Sequence, residues 1–132
     1  MSLLAFLASA ALLSVGEACE DELNKGQQPG NTCSGKHRDV VEAELNRVWR
    51  DAVPEFRRQD REWETLYNNP GFFEHILEEQ RGWIKYREAV CAHERFKSYK
   101  SSSAIFVYNS CMVDMALSRI KYLKNIAEQE MQ

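Results

Sequence analysis

Residues 91–111 read CAHERFKSYKSSSAIFVYNSC: two helix-compatible stretches either side of Lys100-Ser101-Ser102-Ser103, bracketed by cysteines. Cys91 and Cys111 are equidistant from Ser101. In an antiparallel helical hairpin, residues equidistant from the turn face each other, and a tight helix pair brings Cα atoms within the roughly 7 Å a disulfide needs. The spacing therefore predicts a Cys91–Cys111 rung across a hairpin. Counting outward from that rung places Arg87 level with Met115, Trp83 with Arg119, Gln80 with Tyr122, and Glu94 with Tyr108.

The arms of the hairpin carry helical rhythm. Phe73, Ile76, Leu77, Gln80, Trp83, Ile84, Arg87, Val90 and Cys91 recur at steps of three and four, predicting a helix from Phe72 to about Tyr99. Tyr108, Cys111, Met112, Met115, Arg119, Tyr122 and Leu123 predict another from about Ile105 to Ala127. Upstream, Val41, Leu45, Val48, Ala52 and Phe56 mark a helix beginning near Ser34. Pro54 either kinks that helix or opens a new one at its first position, where a missing N–H is harmless. Asn68-Asn69-Pro70-Gly71 is a stop signal, and a short helix fits Glu20 to Lys25. No window alternates with period two and no internal repeat occurs. The expected fold is all-α: a small disulfide-stapled bundle with an antiparallel C-terminal hairpin.

Four cysteines allow three pairings, and spacing favours the two local ones, Cys19 with Cys33 and Cys91 with Cys111. The first pair flanks a Gly/Pro/Asn-rich stretch, residues 25–32, that reads as floppy without it. Each closed loop of about 15 to 20 residues is worth roughly 3 kcal/mol in the chain-entropy model. Cysteines used this way belong outside the reducing cytosol.

The N-terminus agrees. Leu3 to Val15 is nearly continuous apolar sequence, with small residues at Ser14, Gly16 and Ala18, and it is shorter than the about 20 residues a membrane span needs. That is a signal-peptide pattern without a cationic n-region, cleaved after Gly16 or Ala18; a buried N-terminal helix is the alternative. Gly16-Glu17-Ala18 before Cys19 makes a poor lipobox because Glu17 is charged. The expected organisation is a signal peptide over 1–18 and one helical domain over 19–132, periplasmic or secreted. With 17 Lys and Arg against 20 Asp and Glu, the net charge is −3 and no basic cluster suggests nucleic acid.

Trp83, Arg87, Cys91 and Glu94 share one helical face, so charged groups lean inward and must find partners. Arg119, level with Trp83, is expected to stack near its ring as a cation–π pair of roughly 0.5 to 2 kcal/mol. Gln80, Trp83, Arg87, Glu94 and Arg119 are thus expected to form a polar set that holds the helices in register, with a binding or catalytic role for it as the alternative.

The block Gln80-Arg81-Gly82-Trp83-Ile84-Lys85-Tyr86-Arg87-Glu88-Ala89-Val90-Cys91, with Glu94 after it, resembles the Q-x-x-W-x-x-x-R-(D/E)-x-x-C-x-x-E signature of the lysozyme inhibitor LprI-like family. Tyr108-Asn109-Ser110-Cys111-Met112 followed by Arg119 and Leu123 resembles that family's ending, Glu44-Leu45-Asn46 with Trp49 resembles its E-L-N-x-x-(Y/W) segment, and Cys19 with Cys33 its N-terminal cysteine pair. The chain departs in a longer stretch between Leu45 and Gln80, in Ala116 where threonine is usual, and in Glu88 where aspartate is common. The resemblance implies an exported protein; a characterised member is a cell-envelope lipoprotein that inhibits lysozyme.

An acidic, disulfide-braced helical body suits a basic secreted partner such as lysozyme, with charge steering association. Glu74, Glu78 and Glu79, or the Ser101–Ser103 turn, are the candidate binding faces. An envelope immunity or scaffolding role toward another secreted protein is the alternative. A hydrolase is disfavoured: Glu62 with Glu64 and Glu78 with Glu79 splay around a helix rather than converge on one bond. His37, His75 and His93 are scattered, and oxidation of Cys91 removes the thiolate a metal would need. His37-Arg38-Asp39 echoes a kinase catalytic loop, but Glu44 stands where its asparagine belongs and no glycine-rich phosphate loop exists. No metal, cofactor or catalytic residue is expected.

Overall fold

A computed structural model describes residues 12–129, and these form five helices: α1 Val15–Ala18, α2 Glu20–Asn24, α3 Gln27–Tyr67, α4 Phe72–Lys97 and α5 Ala104–Glu128. The protein is all-α, with no strand among the described residues. The greater part of the apolar N-terminal run, residues 3–11, lies outside them.

Long-range hydrogen bonds give the directions of the three long helices. Asn31, Ser34 and Gln59 of α3 meet Ser102, Asn109 and Ala127 in the same chain order, so α3 and α5 run parallel. Glu42 meets Arg87 while Asp60 meets Phe72, so α4 runs antiparallel to α3. Gln80 meets Arg119 below the Cys91–Cys111 bridge, so α4 and α5 form the expected antiparallel hairpin. The result is an up–down–up three-helix bundle in which α3 packs most extensively on α5.

Val41, Leu45, Val48, Ala52 and Phe56 form the buried stripe of α3, the positions its rhythm marks. On α5 the buried residues are Asn109, Met112, Val113, Ala116, Arg119, Ile120, Leu123 and Ala127. This stripe is wider than the one read from sequence, because α5 is covered by α3 on one side and α4 on the other. Tyr122 and Ile84, assigned to inward stripes, instead reach the surface and are about two-fifths exposed.

One further expectation is corrected, and one open alternative is narrowed. The long helix starts at Gln27, not near Ser34, so residues 27–32 are helical. Pro29 is tolerated because it sits in the first turn, where N–H groups have no intrahelical acceptor. Gly30 lets α2 approach closely: a Cβ there would stand 2.7 Å from Leu23 Cδ1 and 3.3 Å from its Cα. At Pro54 no new helix opens: of the two alternatives, α3 runs on through the residue, which is exposed. The stop at residues 68–71 is as expected: Asn68 takes the left-handed conformation that ends α3, and Asp60 Oδ1 accepts from the N–H groups of Gly71 (3.2 Å) and Phe72 (3.0 Å) to open α4.

The N-terminal segment wraps onto the bundle. Ser14 and Glu17 make a reciprocal capping box at the start of α1. Val15 is fully buried in the common core, and Leu12 packs against it. The Cys19–Cys33 bridge (Cα–Cα 5.8 Å) fastens this segment to α3.

Candidate functional site: a polar layer across the three helices

Both disulfides join the cysteines that spacing pairs, Cys19 with Cys33 and Cys91 with Cys111, and no described cysteine is free. Between the Cys91–Cys111 rung and the start of α4 lies a continuous chain of polar contacts. It begins on α3, where the Glu42 carboxylate accepts two hydrogen bonds from the Arg87 guanidinium of α4, Nη2 to Oε2 at 3.1 Å. Arg87 is 7% exposed and its Nη1 also reaches the Met112 carbonyl of α5. Its guanidinium carbon lies over the Trp83 ring, 4.8 Å from the centroid.

Trp83 takes a second cation from the other side of the hairpin, with the Arg119 guanidinium carbon 5.4 Å from its centroid. Arg119, also 7% exposed, donates from Nε to Gln80 Oε1 at 2.9 Å and from Nη2 to Glu79 Oε1 at 2.8 Å. Its guanidinium carbon also stands 4.9 Å from the Tyr122 ring centre, and the Tyr122 hydroxyl donates to Glu79 Oε2 at 2.8 Å. Burial, reinforced by that acceptor, pushes the Tyr122 phenol above its ordinary value. Each buried guanidinium therefore has its own carboxylate and shares one indole. Such pairing is what makes burying two cations tolerable.

Of the residues singled out in the sequence, Gln80, Trp83, Arg87 and Arg119 come together here. Glu94 does not: it pairs with Lys97 on the surface at 3.0 Å, and Tyr108, its expected partner, lies under Arg38 and Arg95 instead. Of the three acidic residues offered as a binding face, Glu79 is turned into the polar layer. Glu78 pairs with Arg81 on the surface, and Glu74 stands exposed in the first turn of α4.

Sequence reading missed Glu42. The α3 helix overshoots the start of α4, continuing to Tyr67 although Asp60 already caps Phe72, so counting outward from the 68–71 turn does not predict which residue of α3 faces Arg87. It missed Gln59 too. That buried side chain donates from Nε2 toward the carbonyls of Ile126, Ala127 and Gln129 at 3.3–3.4 Å, satisfying the last turn of α5. A third missed contact is Ser34 with Asn109 at 3.0 Å, which joins the far ends of α3 and α5.

Among the described residues no three His, Cys, Asp or Glu side chains are placed to hold a metal ion. His37 Nε2 sits 2.6 Å from the Leu13 carbonyl. An open groove of about 570 Å³ beside the Cys19–Cys33 bridge is lined mainly by Pro29, Thr32, Lys36, His37 and Val40. Among the described residues Glu22 is the one carboxylate lining it.

Three residues of the polar layer, Gln80, Trp83 and Arg87, stand in the motif spanning Gln80 to Cys91, and the family comparison matches over a region that includes it. The family described as "Lysozyme inhibitor LprI" matches residues 19–123, which include both disulfides and the whole layer. The chain belongs to the LprI family. The uncharacterized protein R02472 of Rhizobium meliloti (strain 1021) is 27% identical over 101 residues, covering 74% of this chain and 71% of that protein. No solved structure matches. Among the described residues no helix is long and apolar enough to cross a membrane.

Proposed function

We propose that this LprI-family chain is an exported, non-catalytic protein that inhibits lysozyme-type cell-wall hydrolases by binding them. The observation that carries the reading is the family match over residues 19–123. Physical features support it. Two disulfides and a shared polar layer hold the three helices rigidly, and rigidity lowers the ordering cost of binding. The motif side chains Gln80, Trp83, Arg87 and Arg119 pair with one another and with Glu42 and Glu79, an arrangement that supports a role in helix register rather than in presenting a nucleophile–base pair to a substrate. The net charge of −3 favours encounter with a strongly basic partner. Disulfide use fits an extracytoplasmic location, periplasmic or secreted, reached through the apolar N-terminal run.

The test is a cell-wall lysis assay with the purified oxidised protein and lysozymes of several types. Dose-dependent inhibition that saturates near one inhibitor per enzyme is the expected result. Silence across the whole set overturns the proposal and leaves the immunity or scaffolding role toward a different secreted partner.

A further inference from the structure

The 19 residues from Arg95 to Val113 contain no acidic side chain, in a chain whose overall charge is negative. Their cations, Arg95, Lys97 and Lys100, cluster at the closed end of the α4–α5 hairpin; Glu94, just outside this stretch, pairs with Lys97 at 3.0 Å, so the end keeps three cations against one carboxylate. Two aromatic rings project from the same end: Phe96 is 69% exposed and Tyr99 64% exposed. They stack on each other, centroids 5.6 Å apart and planes 21° from parallel, and the Lys100 ammonium lies over the Tyr99 ring at 5.6 Å. Nothing in the fold requires apolar rings here. Stacked, exposed aromatics beside cations have the composition of an interface anchor rather than of a solvated turn.

The projection is also held still. Asn31 of α3 donates to the Ser102 carbonyl at 3.0 Å. Ser101 and Ser103 share a 2.7 Å hydroxyl hydrogen bond, and Ser101 Oγ accepts from the Ser103 N–H at 3.1 Å. The Cys91–Cys111 bridge ties the arms below, with Cα atoms 5.6 Å apart. A preordered turn loses little conformational entropy when it docks.

We infer that this hairpin end is the inhibitory element and that it occupies the substrate cleft of the glycan hydrolase. The inference rests on the inhibitor reading above and names the surface that performs it. The chemistry of the partner supplies the complementarity. Glycoside hydrolases cut between two carboxyl groups, so their clefts carry concentrated negative charge within walls shaped for sugar rings. A cationic tip with flat, exposed rings matches both features. The acidic residues Glu74 and Glu78 belong to the opposite end of α4 and match neither. The two electrostatic regions then divide the work: the acidic body attracts a basic enzyme, and the basic tip enters its acidic cleft.

The experiment compares the oxidised wild-type protein with F96A/Y99A, K97E/K100E and, as a control, E74Q/E78Q, using a lysozyme that wild type inhibits. The replaced aromatic and lysine side chains are exposed, so unfolding temperatures are expected to stay close to wild type. Both tip variants should lose inhibition by at least about tenfold, the control should lose less than about threefold, and a saturating N-acetylglucosamine oligomer should displace wild type from the enzyme. Tip variants that inhibit like wild type, or wild-type binding indifferent to the oligomer, overturn the inference while leaving the inhibitor reading in place. A wild-type protein that inhibits no lysozyme overturns both, and is recognised because the failure precedes any substitution.

Discussion

Arg87 of α4 and Glu42 of α3 form a two-point ion pair across the bundle, with the arginine side chain 8% exposed and the glutamate 27%. The pair is expected to resist sliding of α4 along α3, together with the Asp60 contacts at the start of α4; neither disulfide joins these two helices, because Cys19–Cys33 and Cys91–Cys111 tie other elements. Arg87 Nε finds no acceptor among the described residues, so part of the gain is offset by one buried donor left unpaired. Replacing Glu42 with Gln removes the charge that compensates a buried cation and should destabilise by about 2 to 4 kcal/mol. R87M should cost less, since Glu42 retains access to solvent. A double-mutant cycle followed by denaturant unfolding should return a coupling of about 1 to 3 kcal/mol. Additivity of the two substitutions would exclude the pair as a register lock.

The hairpin bridge is the next expected contributor. It closes a loop with a sequence separation of 20, worth about 3 kcal/mol by loop-closure entropy. For a domain of this size C91S/C111S should lower the unfolding midpoint by roughly 10 °C or more. Calorimetry with and without reductant measures it, and an unchanged melting curve after verified reduction would contradict the stapled-hairpin account.

Gln59 acts at the other end of the bundle. Q59L keeps the volume but leaves the carbonyls of Ile126, Ala127 and Gln129 without their side-chain donor. The expected loss is about 1 kcal/mol. It should be read most clearly as faster amide hydrogen exchange in the last turn of α5, with protection around Cys111 unchanged.

The pH dependence follows from two carboxylates on α3. The hydrogen bond from Arg47 holds Glu44 below its ordinary value of 4.5, and Arg58 does the same for Glu55, in each case against a smaller opposing effect of burial. A carboxyl whose folded pKa is depressed contributes stability that is fully present above its unfolded value and is lost as pH falls through the folded one. Stability should therefore decline as pH drops below about 4.5, by under about 1 kcal/mol for each pair because both arginines are partly solvated. E44Q/E55Q should show a flatter decline over that range, and raising salt should shrink the difference between the two proteins.

Val15 allows a test at the N-terminus. It is fully buried, and it precedes both positions, Gly16 and Ala18, where the sequence suggests cleavage. A chain beginning at Cys19 lacks Val15 and the Ser14–Glu17 capping box, and should be about 2 kcal/mol less stable than one beginning at Leu12. Thermal unfolding of the two chains checks this. Intact mass measurement of the exported protein reports which N-terminus occurs.

Local rules were enough for the covalent frame and for most of the helices, though not for the start of α3 at Gln27. Val41, Leu45, Val48, Ala52 and Phe56 declare a buried face through their own spacing, and Cys91 and Cys111 find each other because a short turn dictates which residues lie opposite. The Trp83–Arg119 contact was legible for the same reason, being only two turns of helix below that rung. Tertiary structure alone decided the rest. Glu42, Gln59 and Ser34 acquire their partners through the placement of α3 against helices far along the chain, and that placement depends on how the whole core packs rather than on distance from any turn. The second buried face of α5 and the inward rotation of Glu79 have the same origin: a side chain's neighbours on another helix are set by the axial slide and rotation of both helices, and neither quantity is written in a single helix's periodicity.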